Sequence, residues 1–475
     1  MSSKKPEVKK KIVSTKSVVS KAPVQKSQAL KVIQTMSALN KSKEPVRKGP
    51  PPINLVRGMK DILPNEQAVW DKMRDTARRL AEFYGFGRID TPMVEETALF
   101  ARGIGKATDI VEKEMYSFET TGGENITLRP EGTASVMRAY IQHGMMNQPQ
   151  PVKLWYMGPM LRHERPQHGR YRQFQTFGCE TIGDGSAVID AELILISYLF
   201  LKDIGIESTV HINSIGTPES RANYKNALVA YFRSKREKLS EEDKKRLLKN
   251  PLRILDSKDP AIVDLKSDAP QIVDWLDEES KAHFTRVLEF LDEVGVPYEM
   301  DPYLVRGLDY YTKTVFEIYA NSTDNELSQA ALGGGGRYDG LSELLGGRAT
   351  SAVGFGLGLD RIANILKAKE GEGSGTQKQV DIFIAQLGDQ GRKKSLALFE
   401  QFRQAGIVTD HAFSKDSIKA QMEIANRLKA KFAIIIGQKE VIDGTAVIRD
   451  MDSGTQEIVD YKKTIHEVQK KLNKK

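Results

Sequence analysis

Apolar residues recur along this chain in patterns that predict helices in some stretches and strands in others. Between residues 65 and 84 the apolar positions share one face of a helix that Gly85 ends. These positions are Val69, Met73, Leu80 and Phe83. A short strand is predicted around 87–90, and residues 158–183 read as two strands joined by a polar loop. Residues 53–370 are therefore predicted to form one core that mixes helices and strands.

Charged residues set the pattern between about 218 and 298. In REKLSEEDKKRLLKN, residues 236–250, charges alternate at helical spacing. HFTRVLEFLDEVG, residues 283–295, is an amphipathic helix that ends at a glycine. This stretch is predicted to be a helical insertion within the core.

The end of the chain alternates strands and helices. A helix is predicted up to about Lys369, followed by a Gly-rich flexible linker at 371–379. Strands at 380–385, 407–410 and 432–437 then alternate with helices at about 390–404 and 416–429, before a hairpin and a last helix. This order predicts a separate α/β domain over residues 380–475.

The first 52 residues differ from all that follows. They are rich in Lys, Ser, Val, Gln and Pro, which predicts a disordered basic tail in which only Leu30, Ile33, Met36 and Leu39 have helical spacing. Twelve Lys and one Arg against two acidic residues give residues 1–50 a net charge of +11, so the rest of the chain sums to about −3. Three interpretations stay open: a solvated extension, an appendage that binds RNA by charge, and a targeting peptide.

Composition excludes several classes of protein. At 475 residues, with 40% hydrophobic and 28% charged residues, the chain is expected to be globular with about three domains. No apolar run approaches the roughly 18 residues that span a bilayer, so we expect no membrane partner. Cys179 is the single cysteine and the seven histidines lack zinc-binding spacing, so we expect no metal site. The cysteine content also suits a reducing, cytoplasmic location.

Arginines are concentrated at the predicted hairpin. Five lie in or beside residues 158–183: Arg129, Arg162, Arg165, Arg170 and Arg172. Like charges this close repel one another unless an anion lies among them. In LVRGLDYYTKTVFEI, residues 304–318, Arg306 precedes the pair Tyr310 and Tyr311 and leads into a strand. Arginines near tyrosines and carboxylates suit a small zwitterion that is activated on a nucleotide phosphate.

These two segments resemble motif 2 and the histidine-specific motif of the histidyl-tRNA synthetases, a family of class IIa aminoacyl-tRNA synthetases. Residues 158–183, GPMLRHERPQHGRYRQFQTFGCETIG, carry the first likeness. Three further segments match the family: VEETALF after Pro92 is similar to motif 1, GFGLGLDRI at 354–362 to motif 3, and NPLRILDSKD at 250–259 to the helical insertion. The likeness runs from about residue 55 to the C-terminus. It implies an α+β fold: a class II antiparallel sheet with flanking helices and an insertion, plus an α/β anticodon-binding domain.

The resemblance implies an ATP-dependent histidine–tRNA ligase that uses Mg²⁺ with ATP. Such an enzyme forms histidyl-adenylate and pyrophosphate, and then transfers histidine to the 3′ end of histidine tRNA. Arg162 matches the arginine that binds the α-phosphate and the amino-acid carboxylate, and Arg306 matches the second catalytic cation. The implied ATP-binding residues are Arg162, Glu164, Arg165, Arg170, Phe174 and Arg361, with Phe174 and Arg361 on opposite faces of the adenine.

The resemblance also assigns histidine-binding residues. They are Glu131, Thr133, Thr176, Glu180, Tyr310 and Tyr311. Glu131 and Thr133 match contacts to the α-amino group, and Glu180 and Tyr311 match contacts to the imidazole. A pocket that pairs every polar group of its substrate strongly rejects analogues that lack them.

Thr176 departs from the family pattern. The family usually has a glutamine fourteen residues after the motif 2 arginine, where this chain has Thr176 with Gln175 just before it. Neighbouring strand residues face opposite sides, so Gln175 cannot replace the missing side chain unless the register slips. The substitution puts the affinity for histidine in question more than the reaction.

Partners and alternatives complete the expectations. By resemblance, Gln167 and Arg172 face the terminal base pair of histidine tRNA, and motif 1 implies a homodimer. One alternative is a regulatory paralogue of histidine biosynthesis that binds ligand without catalysis, and another is an RNA-binding or stress-sensing module on the same fold. A generic nucleotide-binding α/β enzyme is disfavoured because the glycines at 333–340 and 354–362 do not fit GxGxxG. The segment GIGKA, residues 103–107, lacks the upstream glycine and the Ser/Thr of a P-loop.

Overall fold

The computed structural model describes residues 53–105, 108–165, 169–255, 257, 259–321, 330–370 and 380–473. The predicted tail at 1–52, the predicted linker at 371–379 and Gln167 lie outside the described residues. The strands are β1 Gly87–Arg88, β2 Val94–Glu96, β3 Tyr116–Glu119, β4 Asn125–Leu128, β5 Val152–Leu161, β6 Gln173–Ile182, β7 Ser208–Ser214, β8 Tyr298–Met300, β9 Thr312–Ala320, β10 Gly333–Arg337, β11 Ala352–Gly358, β12 Ile382–Gln386, β13 Thr409–His411, β14 Phe432–Ile436, β15 Thr445–Asp450 and β16 Gln456–Asp460. The α-helices are α1 Gln67–Phe83, α2 Thr97–Gly103, α3 Thr133–Gln142, α4 Ala187–Asp203, α5 Pro218–Ser234, α6 Glu241–Lys249, α7 Pro260–Lys266, α8 Glu278–Glu293, α9 Leu341–Leu344, α10 Leu359–Glu370, α11 Gly388–Gln404, α12 Ile418–Arg427, α13 Gln438–Asp443 and α14 Thr464–Leu472.

Helix α1 follows its predicted pattern with one exception. A 3-10 turn that starts at Pro64 leads into it, and Val69 and Met73 lie on its buried stripe. Phe83 is 84% exposed, contrary to its predicted place on this stripe. Two residues past the buried Ala81, Phe83 lies about 200° around the helix, so it turns away from the core.

Eight strands form the large sheet, in the order β1-β5-β6-β11-β10-β9-β7-β8. Only the two edge pairs, β1 with β5 and β7 with β8, are parallel. The six central strands pair antiparallel, which confirms the predicted sheet type. A separate three-stranded sheet has the order β2-β4-β3.

The hairpin of β5 and β6 lies inside the large sheet. Its ladder runs without a break from Gln173 to Ile182, and β11 pairs with the other edge of β6. Since side chains alternate along a strand, Phe177 and Cys179 enter the main apolar core while Thr176 and Glu180 lie on the opposite face. The unbroken register therefore makes one face of β6 apolar and part of the core, and the other face polar.

Helices cover one face of this sheet. Helix α4 is apolar around most of its surface, and it packs against both the sheet and α8. Phe284, Val287 and Leu291 of α8 join the same core as Phe316 of β9. Helix α8 thus packs with the large sheet although the predicted insertion included it.

The insertion is a small helical unit whose helices begin at side-chain caps. Thr217, Ser240 and Asp259 accept hydrogen bonds from the first turns of α5, α6 and α7. On α5 the buried residues Tyr224, Leu228 and Phe232 recur every four positions, as one face of a helix requires.

The C-terminal region forms a five-stranded sheet in the order β13-β12-β14-β15-β16. Its first three strands are parallel and the last two join antiparallel. Ile382 and Ile384 of β12 pack with α11 on one face, while Phe383 and Ala385 pack with α12 on the other. The predicted α+β core with an α/β C-terminal domain is confirmed. In the described part of the chain, no helix is long and apolar enough to cross a bilayer.

Candidate active site

Glu180 of β6 is the centre of a buried polar pocket on the face of the sheet away from α4. Its side chain is fully buried and accepts hydrogen bonds from the hydroxyls of Thr133, at 2.8 Å, and Tyr156, at 3.1 Å. The hydroxyl of Tyr338 donates a third, short hydrogen bond to the other carboxyl oxygen. Three elements besides β6 therefore converge on one carboxyl group.

Burial changes the acidity of this group. Loss of water raises the pKa of Glu180 to about 8, although the hydroxyls of Tyr338 and Thr133 act in the opposite direction. At neutral pH this carboxyl is therefore mainly protonated. It can then donate a hydrogen bond as well as accept one.

Gly354 on the adjacent β11 makes room for Glu180. A Cβ at Gly354 would lie 1.6 Å from the Glu180 Oε2 atom, so no larger residue fits without moving the carboxyl. The absence of a side chain at Gly354 thus lets the Glu180 carboxyl approach the backbone of β11 closely.

Glu131 forms the second acidic wall at the start of α3. Its carboxyl accepts hydrogen bonds from the amides of Thr133, at 2.6 Å, and Ala134, at 2.9 Å. Burial raises the pKa of Glu131, while these amides and the nearby Arg162 lower it. The helix N-terminus stabilises the carboxylate form of this residue.

Tyr310 and Tyr311 close the pocket with aromatic rings. Their centroids are 4.8 Å apart, and Tyr310 also meets the ring of Tyr338 edge-on at 5.6 Å. Both tyrosines are buried, and burial raises the pKa of both hydroxyls. At neutral pH the phenols are uncharged and can act as hydrogen-bond donors.

Arg162 stands where β5 ends. Its Nε atom donates to the carbonyl oxygen of Pro130 at 2.8 Å, and its guanidinium lies 5.5 Å from the ring centre of Phe174. Its Nη1 atom is 3.7 Å from Glu164. The hydrogen bond to the main chain thus orients the guanidinium, and the side chain of Arg162 remains partly exposed to solvent.

Arg306 comes from the segment between β8 and β9 and pairs with Glu317 of β9 through a short ion pair. Burial lowers the pKa of Arg306, but Glu317 and Tyr311 outweigh it and raise that pKa above its usual value. Its Nε atom is buried and has no hydrogen-bond partner among the described residues. A permanent cation with an unused donor therefore borders the tyrosine pair.

Arg361, at the start of α10, donates to the carbonyl oxygen of Ala331. Burial and then the neighbouring Arg170 lower the pKa of Arg361, while Glu164 and Glu317 raise it. Arg170 itself pairs with Glu164 at 3.4 Å. Glu164 therefore lies between Arg162 and Arg170, and Arg170 is at the exposed edge of the site.

The remaining predicted residues have more varied surroundings. Arg165 is exposed, and Arg172 donates to the carbonyl oxygens of Glu164 and Arg57, each at 3.3 Å. Arg129 of the arginine cluster bonds the carbonyls of Pro159 and Thr91, which makes it a structural residue. Part of the arginine concentration is thus balanced by carbonyl oxygens instead of an anion.

Thr176 faces the pocket side of β6, as predicted from the strand alternation. The backbone N–H of the neighbouring Gln175 donates a hydrogen bond to the Asp360 carboxylate at 2.6 Å, and the strand pairing on both sides of Gln175 is regular. The register does not slip, so Gln175 does not occupy the position of the family's glutamine.

Sequence reasoning missed three site residues. Tyr156 and Tyr338 hydrogen-bond Glu180, and Glu317 pairs with Arg306. Tyr338 lies in the glycine-rich stretch 333–340 and could have been found there. Tyr156 and Glu317 lie in strands whose sequence pattern has no unusual feature. Only their contacts with residues distant in sequence show that they belong to the site.

Among the described residues, no three His, Cys, Asp or Glu side chains are grouped so that they could hold a metal ion. Two carboxylates do lie along the arginine-rich edge, Glu164 and Glu317. Each is already paired with an arginine.

Comparisons with known proteins agree with this arrangement. A family described as histidyl-tRNA synthetase matches residues 58–362, and one described as anticodon binding domain matches residues 381–471. The apo histidyl-tRNA synthetase of S. aureus is 37% identical over 88% of this chain and 100% of its own, with a TM-score of 0.72. The fold is that of a class II aminoacyl-tRNA synthetase.

Two more distant structures share the fold. A histidyl-tRNA synthetase from Nostoc sp. is 22% identical over 89% of this chain and 100% of its own, with a TM-score of 0.58. A protein from Bacillus halodurans, described as an ATP phosphoribosyltransferase regulatory subunit/histidyl-tRNA synthetase, is 22% identical over 82% of this chain and 99% of its own, with a TM-score of 0.59. On the family match and the S. aureus likeness, the chain belongs to the histidyl-tRNA synthetase family, whose members are ATP-dependent histidine–tRNA ligases.

Proposed function

We propose that the buried Glu131–Glu180 pocket binds L-histidine and that its arginine edge binds ATP, so that this chain forms histidyl-adenylate here. The observation that carries the proposal is one polar cluster in which two buried carboxyl groups and the tyrosine pair adjoin Arg162 and Arg306. Histidine brings an ammonium group, a carboxylate and an imidazole, and the pocket has a complementary group for each.

Histidine would be recognised at its two ends. The carboxyl of Glu131, which burial makes less acidic than usual, would accept hydrogen bonds from the α-ammonium group, whose positive charge favours the carboxylate form, and the hydroxyl of Thr133 lies beside it. The neutral imidazole has one N–H donor and one bare nitrogen. The protonated Glu180, flanked by Tyr338 and Tyr311, offers both an acceptor and a donor for them.

In the activation step an oxygen of the histidine carboxylate attacks the α-phosphorus of ATP, and the bond to the pyrophosphate oxygen breaks. Negative charge accumulates on the phosphorus oxygens while two anions approach. Arg162 and Arg306 supply preoriented positive charge for this state, which lowers its free energy most where water is excluded. Phe174 and Arg361 are proposed to enclose the adenine, with Glu164, Arg165 and Arg170 near the leaving phosphates.

Mg²⁺ is proposed to accompany ATP. This ion usually binds phosphate oxygens together with one or two carboxylates, so a dedicated protein cage is not required. Glu164 and Glu317 have the hard oxygen donors that suit it, and they would hold the ion against the phosphates. The bound ion would neutralise charge on the triphosphate.

The second step passes histidine from the adenylate to a ribose hydroxyl at the 3′ end of histidine tRNA, and AMP leaves. We propose that Arg172 and Gln167 contact the acceptor end and that the C-terminal domain binds the anticodon. Val94 and Phe118 are large apolar side chains exposed on the three-stranded sheet, which supports a homodimer contact there. A cytoplasmic location would give this chain access to its tRNA.

The proposal is tested by amino-acid-dependent exchange of pyrophosphate into ATP, without tRNA, for each of the twenty amino acids. We expect exchange with histidine alone, reduced at least about a hundredfold in Arg162→Ala and Arg306→Ala. Arg74→Ala, a change at an exposed arginine on α1, is the matched control and should leave exchange unchanged. Folded protein that binds histidine but exchanges with no amino acid would instead be the regulatory paralogue.

A further inference from the structure

The segment that carries Arg306 has no regular secondary structure. Residues 301–311 connect β8 to β9, and they include Tyr310 and Tyr311 of the pocket as well as Arg306. Outside helices and ladders, buried carbonyl oxygens must find other partners, and those partners then fix the path of the chain. The position of Arg306 therefore depends on what binds the backbone around it.

Three carbonyl oxygens of this segment accept hydrogen bonds from side chains elsewhere in the protein. Asn213 of β7 donates to Leu304 at 3.0 Å. Arg253 donates to Gly307 at 3.0 Å, and Arg221 donates to Tyr311 at 2.6 Å. The first donor belongs to the catalytic sheet, whereas the two arginines belong to the helical insertion.

Arg253 lies in NPLRILDSKD, residues 250–259 of the insertion, a segment that has no part in the proposed activation step. It is part of a 3-10 turn, Pro251–Ile254, and the following Leu255 is 2% exposed, so the turn is anchored in the core. Its guanidinium meets the residue next to Arg306. A Cβ at Gly307 would lie 3.3 Å from the Arg253 Nη2 atom, so the two groups are closely packed.

Arg221 approaches the other end of the segment from the first turn of α5. Burial lowers the pKa of Arg221, and the nearby Asp309 raises it. A mostly buried guanidinium is stable only where good acceptors meet it, and the Tyr311 carbonyl is such an acceptor. The two arginines thus bind the backbone on either side of the Tyr310–Tyr311 pair and next to Arg306.

We propose that Arg221 and Arg253 are positioning residues for amino-acid activation, which hold residues 301–311 so that Arg306 meets the reacting phosphate. The inference rests on the proposed role of Arg306. It gives the helical insertion a part in the first chemical step, before any tRNA binds. Because misplacing a catalytic group by about 1 Å can cost a hundredfold in rate, two hydrogen bonds here have a large effect.

The experiment measures pyrophosphate exchange with histidine for Arg221→Ala and Arg253→Ala in the full chain. We expect kcat to fall about 10- to 100-fold while the KM for ATP changes less than about twofold, because the cation acts mainly in the transition state. Arg221→Lys and Arg253→Lys should recover part of the loss, since they keep a donor. These variants also serve if an alanine variant does not fold.

Tyr224→Phe is the matched control inside the insertion. It removes the hydrogen bond from Tyr224 to the Pro270 carbonyl, at 3.0 Å, and leaves both contacts to the segment intact. We expect normal kcat from it. An equal loss of kcat in Tyr224→Phe would mean that any loosening of the insertion lowers the rate, and it would overturn the proposal.

A double-mutant cycle with Arg306→Ala decides whether the arginines act through Arg306. If they do, Arg253→Ala should cost almost nothing further in the Arg306→Ala background. Losses that multiply in the double variant would show an independent effect and contradict the inference. Normal exchange by Arg306→Ala alone would instead refute the proposed role of Arg306 itself.

Discussion

At the scale of single residues, the environment of Glu180 sets the character of the pocket. The same carboxyl on a surface would be an ordinary anion. Here full burial holds it mainly as a neutral acid at neutral pH, although three hydroxyl donors act in the opposite direction. A neutral pocket centre suits a neutral imidazole, because binding then requires no buried charge to be created.

This environment predicts how the stability of the protein depends on pH. The folded pKa of Glu180, about 8, exceeds the ordinary value of 4.5, so the folded state keeps a proton that the unfolded state loses. Glu180 therefore lowers the free energy of unfolding progressively as pH rises from about 4.5 to about 8, by at most about 1.4 kcal/mol per pH unit. Urea unfolding of the wild type and Glu180→Gln at pH 5, 6, 7 and 8 should show the wild type losing stability relative to the variant. Parallel profiles would contradict the raised pKa.

Thr176 gives a second prediction at this scale. It faces the pocket, and its cross-strand partners Gly158 and Gly358 have no side chains. Thr176→Gln should extend an amide to the α-amino group and lower the KM for histidine about tenfold, the effect of one hydrogen bond of ~1.4 kcal/mol. Thr176→Val, which has the same size but lacks the hydroxyl, should raise that KM. Exchange kinetics over a histidine titration measures both, and an unchanged KM in both variants would show that Thr176 does not contact the substrate.

At the scale of elements, β10 divides its residues between the two faces of the sheet. Tyr338, just beyond its end, turns into the pocket, while Arg337 turns to the helices behind, where it is fully buried against Asp190 of α4. Asp190 also contacts His283 of α8 at 2.7 Å. One strand thus joins the helix layer to the proposed histidine pocket.

Removing Arg337 should therefore be costly. Arg337→Met leaves Asp190 buried without its main cation, and the lost ion pair should lower the free energy of unfolding by about 3–5 kcal/mol. Arg78→Met, which breaks the exposed pair with Asp75 on α1, should cost less than about 1 kcal/mol. Urea unfolding curves compare the two. Similar small losses would mean that the buried pair contributes little.

The sequence predicted most elements at this scale because their periodicity is strong. The β5–β6 hairpin, α1 and the alternation after residue 380 were all read from apolar spacing. The boundaries of the insertion were harder to predict, because the amphipathic pattern of α8 is the same whether the helix packs on the insertion or on the large sheet. Its contact with α4 assigns it to the core, and we propose that the insertion ends near residue 277.

At the scale of the whole molecule, charge is divided sharply along the chain. Residues 1–50 have a net charge of +11, and the remaining residues sum to about −3. Most of the nonspecific attraction for tRNA would therefore come from the N-terminal segment, and the catalytic region must rely on local arginines.

Deletion of residues 1–50 tests this division. We expect the KM for tRNA in aminoacylation to rise at low salt and the salt dependence of that KM to become weaker, because fewer counterions are released on binding. Pyrophosphate exchange, which needs no tRNA, should be unchanged. If both reactions keep their wild-type parameters at every salt concentration, the segment is a solvated extension.

Sequence alone determined the chemistry of this protein, since residue types and short spacings fix which groups are present. Arginine, carboxylate and tyrosine in recognisable motifs indicated Arg162, Arg306, Glu131 and Glu180 before any fold was known. Strand alternation even settled that Gln175 and Thr176 face opposite ways.

Only the tertiary structure decided which groups act together, because their partners are distant along the chain. Glu180 meets Tyr338 across 158 positions, and Arg253 meets Gly307 across 54. Burial and neighbouring charge, which set the pKa of Glu180 and orient Arg306, are properties of packed surfaces and of no single segment. The sequence therefore names the candidate reacting groups, and the fold sets their protonation and their geometry.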